Sequence, residues 1–109
     1  MVKAQNKTSY DLRLSFFKTS TSSNKKSFFI ESANTVNLFY NETENFEPDA
    51  VTGRYYDSAA IVFSDGRSIS YTSRDSNNTN NVLFIDNYLH PNEDEFIFKI
   101  DSVIYNLSH

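Results

Sequence analysis

Apolar and polar residues alternate along several short runs of this chain, and the alternation predicts β-strands. Every second position of the run 10–16 is apolar, at Tyr10, Leu12, Leu14 and Phe16. Successive side chains of a strand point to opposite faces, so such a run has one apolar face and one hydrated face. Further runs follow at 27–31, 35–40 and 96–100. Their shared-face residues are Phe28 with Ile30, then Val36 with Leu38 and Tyr40, then Phe96 with Phe98 and Ile100.

The segment 59–72 predicts a β-hairpin that turns at Ser64-Asp65-Gly66. A two-residue loop at Asp65-Gly66 would place Ile61 and Phe63 opposite serines. A three-residue loop, closed by Gly66 in the left-handed conformation, keeps the apolar residues together on one face. Its pairs are Phe63 with Arg67, Ile61 with Ile69 and Ala59 with Tyr71. A slip of one residue inverts every side chain, so we predict the three-residue loop.

The remaining segments are assigned from their polarity and turn residues. Residues 19–24 and 32–34 predict polar turns, 73–81 a polar loop and 90–95 an acidic turn. Residues 41–57 form the longest aperiodic stretch, with a net charge of about −4 and breaks at Pro48 and Gly53. A strand is predicted at 82–86, extending towards Leu89. For 101–107 we predict a strand, with a helical turn capped by Asp101 as the alternative.

Several strands at intervals of 8–15 residues, all antiparallel in pattern, predict an all-β fold. We expect an antiparallel β-sandwich of about seven strands, with a small β-barrel as the alternative. The length of 109 residues fits one domain, covering 1–109. Ten Phe and seven Tyr supply a large apolar surface for the core.

The chain has few glycines for the number of turns that this fold needs. There are 2 Gly but about thirteen Asn. Asparagine tolerates left-handed backbone better than other non-glycine residues. We therefore interpret the asparagines as substitutes for glycine in turns.

The formal net charge of −4 argues against a nucleic-acid binder, which needs a concentrated basic face. The charge is uneven: residues 1–40 sum to about +4 and residues 41–109 to about −8. The basic residues of the first part are scattered over predicted strands and a turn. They are interpreted as solvated surface rather than as a recognition patch; they are Lys3, Lys7, Arg13, Lys18, Lys25 and Lys26.

The sequence has no cysteine, which excludes disulfides and thiolate metal sites. No stretch approaches the ~20 apolar residues of a membrane-spanning helix. Met1-Val2-Lys3 leads directly into polar residues, so no signal peptide is expected in this sequence.

No arrangement of residues in the sequence indicates catalysis, a metal or a cofactor. His90 lies in a predicted turn and is expected to be exposed, and His109 is expected to be frayed. A metal site formed by His90, Glu93 and Asp94 is less consistent with the sequence than a solvated acidic turn. The carboxylates of the long loop lack the spacing of a calcium loop; they are Glu42, Glu44, Glu47 and Asp49. We expect a protein that is not an enzyme.

Tyr55 and Tyr56, with Phe46 in the same loop, are the strongest indication of a binding site. Adjacent residues of an extended segment point to opposite sides, so one tyrosine can be exposed as an interface anchor. The structural alternative is that one ring fills the edge of the core and the other covers the end of a sheet. Tyr88 is added as a candidate for a carbohydrate platform.

A strand, an Asp-Gly turn and a strand occur at 59–71, as Ala-Ala-Ile-Val-Phe-Ser-Asp-Gly-Arg-Ser-Ile-Ser-Tyr. An Asn-rich loop and the segment Leu-Phe-Ile-Asp-Asn-Tyr at 83–88 follow. This order, over about a third of the chain, resembles small uncharacterised lipoprotein-type β-sandwich domains of Bacteroidetes bacteria. The resemblance implies export and attachment through a lipidated cysteine upstream, and it brings no known activity.

These observations predict a non-enzymatic module in the periplasm or at the cell surface. Its expected partner is a protein, or a second copy of the chain, bound through loops or an open sheet edge. The alternative is a carbohydrate-binding module that uses Tyr55, Tyr56 or Tyr88. Neither nucleic acid nor a membrane span is expected.

Overall fold

Eight strands and one short helix make up the regular structure in the computed structural model of the protein, which describes residues 2–18, 21–38 and 56–109. The strands are β1 (Val2–Asn6), β2 (Leu12–Lys18), β3 (Thr21–Ile30), β4 (Thr35–Leu38), β5 (Ser58–Phe63), β6 (Ser68–Thr72), β7 (Leu89–Asn92) and β8 (Glu95–Ile100). The helix α1 (Ser102–Leu107) follows β8.

The strands form two four-stranded sheets. The first sheet has the order β4-β1-β8-β7, and the second has the order β3-β2-β5-β6. The predicted all-β sandwich is confirmed, and the described strands do not close into a barrel. Among the described residues, no helix combines the length and the apolar character needed to cross a membrane.

The core lies between the two sheets and contains the residues that period-two alternation places inward. In β2, Leu12, Leu14 and Phe16 are buried. In β8, Phe98 and Ile100 are buried, as predicted. The other fully enclosed apolar side chains come from both sheets and from the loop before β7; they are Val2, Ala4, Ile30, Ala59, Ile61, Phe63, Val82, Leu83 and, in α1, Ile104.

The hairpin between β5 and β6 adopts the predicted three-residue register. Ala59 pairs with Tyr71, and Ile61 pairs with Ile69. The Phe63 amide donates to the Arg67 carbonyl at 2.8 Å, and the Gly66 amide donates to the Phe63 carbonyl at 2.9 Å. Gly66 has φ +95°, which is the left-handed conformation expected there. Burial of the apolar face therefore decides the register.

Strand β1 is absent from the predicted set, and it changes the topology. It lies between β4 and β8, and it runs parallel to β8, with Val2 opposite Phe96 and Asn6 opposite Ile100. The expectation that every strand pair is antiparallel is therefore wrong at this place. The inward positions of β1 are Val2, Ala4 and Asn6, a set too small and too polar to stand out as an apolar run.

Asn6 is buried, and its side-chain amide is fully used. Its Nδ2 donates to the carbonyls of Tyr10 at 2.7 Å and Ile30 at 3.1 Å. Its Oδ1 accepts from the Thr8 amide at 2.9 Å and the Thr8 hydroxyl at 2.7 Å. A buried polar side chain that is satisfied in this way fixes the end of β1 against the start of β2.

The segment between β3 and β4 passes from the second sheet to the first. The predicted turn at 32–34 is present, with Ala33 at φ 67°. The Ala33 amide donates to the Asn6 carbonyl at 3.0 Å, and the Asn6 amide donates to the Asn34 carbonyl at 2.9 Å. Residues 21–24 of the predicted turn at 19–24 belong to β3 instead, and residues 19 and 20 lie outside the described residues.

Three segments near the C-terminus differ from their predictions. Residues 82–86 do not form a strand: Val82 and Leu83 are buried in a turn, and a 3₁₀ turn follows at Ile85–Asn87. The predicted acidic turn at 90–95 shrinks to Glu93-Asp94, because β7 and β8 pair on either side of it. The strand predicted for 101–107 is wrong, and the alternative is correct: the Asp101 carboxylate accepts from two amides of α1.

The C-terminus is bound to the second sheet. Ser68 and His109 exchange two backbone hydrogen bonds, of 3.0 and 2.9 Å. The Arg67 guanidinium donates to the Ser108 carbonyl at 2.6 Å. His109 is exposed at its side chain, but its backbone is paired, so the expectation of a frayed end is wrong.

Asparagine serves the turns through its side chain and not through left-handed backbone. Among the described residues, Ala33 is the non-glycine residue with positive φ, and no asparagine has it. The Asn81 amide instead donates to the carbonyls of Thr72 and Asp75, at 2.9 and 3.0 Å, and its oxygen accepts from the Leu83 amide. The Asn87 amide donates to the carbonyls of Asn78 and Asn81. The asparagines thus supply hydrogen bonds to loop backbone that no strand pairs.

We predict that Gly66→Ala destabilises the protein by about 1 kcal/mol, since a β-carbon is strained at this φ even where space is open. Gly66→Asn should cost less, because asparagine tolerates this conformation. Urea unfolding measures both, with Ser64→Ala, an exposed change in the same turn, as the control. Equal stability of the Gly66→Ala and Ser64→Ala variants would contradict the left-handed turn.

Candidate functional site

Two of the four residues of the predicted aromatic site, Tyr56 and Tyr88, lie among the described residues. Phe46 and Tyr55 lie outside them, as do Tyr40 and the acidic residues Glu42, Glu44, Glu47 and Asp49. Tyr56 is half-buried and packs against the core, with its ring centroid 5.9 Å from that of Phe16. Tyr88 is only 6% exposed, and its hydroxyl donates to the Val82 carbonyl at 2.8 Å. The Tyr88 ring therefore offers no stacking surface to a ligand.

His90 is exposed, as predicted, and belongs to a surface cluster on β7 and β8. Its ring stacks on Phe96 with centroids 4.2 Å apart, and its Nδ1 lies 2.8 Å from the Glu95 carbonyl oxygen. In residues 2–18, 21–38 and 56–109, no three His, Asp or Glu side chains come close enough to hold a metal ion.

The outward side of the second sheet brings cations and exposed apolar side chains together. Phe29, Arg13 and Val62 lie side by side in one row across β3, β2 and β5. Directly opposed side chains in such a row have β-carbons about 5 Å apart. Phe29 is 57% exposed and Val62 45% exposed. We define the cationic face as the outward residues around this row: Arg13, Ser15, Phe17, Lys25, Ser27, Phe29, Ala60 and Val62.

The cationic face forms a shallow open concavity rather than a closed pocket. Its volume is about 440 Å³, and Arg13, Phe17, Lys25, Phe29 and Val62 are among its lining residues. The row beside Arg13 is made of small side chains, because Ser15 pairs with Ser27 and with Ala60. The Ser15 and Ser27 hydroxyls lie 2.9 Å apart. The small residues leave a depression between the larger side chains of the two flanking rows.

The strands of the second sheet contain four cations and no carboxylate. The cations are Arg13, Lys18, Lys25 and Lys26, and no Asp or Glu occurs in β2, β3, β5 or β6. The sheet therefore carries +4 in a chain whose formal net charge is −4. Asp11 borders the concavity, but its carboxylate accepts from the Ser32 amide at 2.9 Å. Within the described part of the chain, Arg13 and Lys25 form no ion pair.

The outward side of the first sheet has a different character. Its Lys3 is paired with Glu95 at 3.1 Å, and Asn92 donates to the same carboxylate. These two hydrogen bonds, from Asn92 and then Lys3, hold the pKa of Glu95 below its ordinary value. The charge of Lys3 is thus neutralised within the sheet, but the exposed Lys99 of β8 forms no ion pair within the described residues.

The two faces therefore differ in degree. Within the described residues, the cationic face holds two cations without an ion pair, Arg13 and Lys25, with Asp11 at its border, whereas the first sheet holds one, Lys99. Exposed apolar side chains occur on both faces, Phe29 and Val62 on the second sheet and Leu89 on the first.

A second polar cluster closes one end of the sandwich around Tyr105 of α1. Its ring stacks on Tyr10 with centroids 4.8 Å apart, and it meets Phe63 edge-on at 5.0 Å. The Arg67 guanidinium carbon lies 4.7 Å from the Tyr105 ring centroid, and the Tyr105 hydroxyl donates to the Asp65 carboxylate. These polar groups are partnered within the cluster, so its role is to attach α1 to the hairpin.

The cationic face is missed by sequence reasoning that sums charge over each half of the chain. With such sums, Arg13 and Lys25 are interpreted as scattered, solvated residues. The sums also give no role to Phe29, which points to the opposite face from Phe28 and Ile30. The available signal is the absence of Asp and Glu from all four strands that form the second sheet. Chain-half totals conceal that signal, because the acidic residues of the loops are added to them.

Comparison with protein-family models, with curated proteins and with solved structures gave no match for this chain.

Two buried tyrosines form a matched pair for a stability test. Burial raises the pKa of both Tyr71 and Tyr88. The Tyr88 hydroxyl is bonded to the Val82 carbonyl, whereas the Tyr71 hydroxyl has no partner among the described residues. We predict that Tyr88→Phe destabilises the fold by about 1–2 kcal/mol, because a buried carbonyl loses its donor. Tyr71→Phe should be neutral or stabilising. Thermal and urea unfolding measure the stability of both variants. A Tyr71→Phe variant less stable than the Tyr88→Phe variant would contradict this assignment of hydrogen bonds.

The Tyr105–Asp65 hydrogen bond predicts a pH dependence at alkaline pH. The bond, with smaller contributions from Tyr10 and burial, raises the pKa of Tyr105 from 10.0 to about 12. The phenol is therefore favoured in the fold, so its stabilising contribution is present below the ordinary pKa and is lost as pH rises through the raised pKa. Asp65→Asn should lower the Tyr105 pKa, and NMR of the labelled tyrosine rings measures this titration. An unchanged titration in this variant would contradict the role of the bond.

The same bond acts with the opposite sign at acid pH. It lowers the pKa of Asp65 below its ordinary value of 3.8. The contribution of the ionised Asp65 to the stability of the fold is thus present above pH 3.8 and is lost as pH falls through the depressed pKa. Tyr105→Phe should return the Asp65 titration towards the ordinary value, which serves as the internal control for the alkaline experiment.

Proposed function

We propose that the protein is a non-enzymatic binding module that works outside the cytoplasm and contacts a protein partner through the cationic face. The observation that carries the proposal is the row Phe29, Arg13 and Val62, which places exposed apolar side chains on both sides of a cation. Exposed apolar side chains next to an arginine are common at the centre of protein interfaces.

The packing between the two sheets does not require these apolar side chains. Phe29 and Val62 point away from the core, and each leaves about half of its surface in water. A polar residue at either position would leave the packing between the sheets unchanged. Exposed apolar surface of this kind marks sites of interaction when it is contiguous. Here the register places Arg13 between the two side chains in one row.

The proposed location outside the cytoplasm is supported by the resemblance of 59–71 and 83–88 to lipoprotein-type domains. A chain without cysteine also folds without change in an oxidising compartment. The carbohydrate alternative receives no support from the described tyrosines, because Tyr88 is buried and Tyr56 packs on Phe16.

A photo-crosslinking amino acid placed at Val62 tests the contact in cells of the source organism. We expect one protein to be captured repeatedly from Val62, and capture to fall at least about tenfold when Arg13→Glu is added. The matched control carries the crosslinker at Lys99, an exposed position of the first sheet.

Three results would count against the proposal. Equal capture from Val62 and Lys99 would show that the contact is not specific to the cationic face. No captured protein from either position would remove its support. Binding to a glycan array that Arg13→Glu abolishes would favour the carbohydrate-binding alternative instead.

A further inference from the structure

Strand β3 is a ten-residue edge strand that borders the cationic face. It pairs with β2 along one side and, within the described residues, with no strand along the other. Such an edge presents a row of backbone N–H and C=O groups to a further strand. Proteins that bind extended peptides use this geometry, with main-chain bonds for affinity and side-chain pockets for specificity.

The outward side chains of β3 place a cation near one end of the edge and an exposed aromatic ring near the other. Lys25, Ser27 and Phe29 occupy alternate positions, so the cation and the exposed ring are separated by about 13 Å along the strand. Lys25 and Phe29 border the concavity on its β3 side. An added strand would place its own alternate side chains next to these three.

Charge selects an acidic partner over a second copy of the chain. Pairing two copies through β3 would join two sheets that each carry four cations and no carboxylate. Like charges close together on adjacent strands are destabilising. Lysine on an edge strand is also a known device against self-pairing. A segment with carboxylates gives Lys25 and Arg13 the counter-charges that the described residues do not provide.

We propose, resting on the function proposed above, that β3 binds an extended acidic segment of the partner protein as an added antiparallel strand. A carboxylate of this segment lies against Lys25, and an apolar side chain lies against Phe29. In an antiparallel pair the partner chain meets Phe29 first. The recognised motif is therefore an apolar residue followed four positions later by Asp or Glu.

Selection from a display library of random twelve-residue peptides tests the motif while the partner is still unidentified. Against the wild-type protein we expect enrichment of an apolar residue with an acidic residue four positions later. Against the Lys25→Glu variant we expect a basic residue in place of the acidic residue of the motif. We also expect this variant to bind the acidic peptides at least about tenfold more weakly. Lys99→Glu, which reverses a lysine charge on the other sheet, is the matched control and should select the wild-type motif.

Backbone pairing is tested with the best selected peptide and its N-methylated form. Methylation of the alternate amides that face β3 removes strand hydrogen bonds but leaves every side chain and charge. We expect binding to be lost, and we expect the unmethylated peptide to protect β3 amides from hydrogen exchange. Protection of β6 or of β7 instead would overturn the assignment of the edge.

Each of the remaining outcomes would overturn the inference or one part of it. Absence of an enriched motif, or a motif that Lys25→Glu leaves unchanged, would overturn the inference. Equal binding of the N-methylated peptide would overturn strand addition, while capture from Val62 would still support the cationic face as a contact. Dimers held through β3 would assign the edge to a second copy. Binding of duplex DNA or heparin as tightly as the peptide would replace peptide recognition with general binding of polyanions.

Discussion

Burial of the two inward apolar faces against each other is the interaction on which the rest of this structure depends. Leu12, Leu14 and Phe16 of β2 alone present three enclosed side chains to the core. At roughly 1.5–3 kcal/mol for each fully buried side chain of this size, they outweigh any single surface contact of the protein. The inward face fixes register and strand order. The outward residues are then free to serve a purpose other than folding.

The two sheets differ in the charge of their strands. Of the second sheet's cations, Arg13 and Lys25 are outward, whereas Lys26 is in register with the inward Phe16. The second sheet holds four cations and no carboxylate on its strands, whereas the carboxylate of Glu95 belongs to the first sheet. Neither sheet needs its outward charges for packing. The first sheet pairs Lys3 with Glu95 and leaves Lys99 without an ion pair, whereas both Arg13 and Lys25 of the second sheet lack one in the described residues. That contrast, next to exposed Phe29 and Val62, supports the cationic face as the place of contact.

Several loops of the protein are held by side chains and not by special backbone conformations. Asn81 and Asn87 donate to three loop carbonyls and to the carbonyl of Thr72 at the end of β6, and Asn6 joins β1 to the start of β2. This use of asparagine cannot be predicted from its abundance, because the amide partners lie up to 24 residues away. For the same reason the strand predicted at 82–86 is wrong. Its Val82 and Leu83 are buried in the core from a turn and not from a paired strand.

The sequence by itself determined the fold class, the inward residues of the alternating strands and the register of the hairpin at Gly66. These features depend on local periodicity and on one turn, and both can be read from neighbouring residues. The parallel pairing of β1 with β8, the choice of helix over strand after Asp101 and the row that joins Phe29 to Val62 were decided only by the tertiary structure. Each depends on residues far apart in the chain, brought together by whichever arrangement buries the most apolar surface.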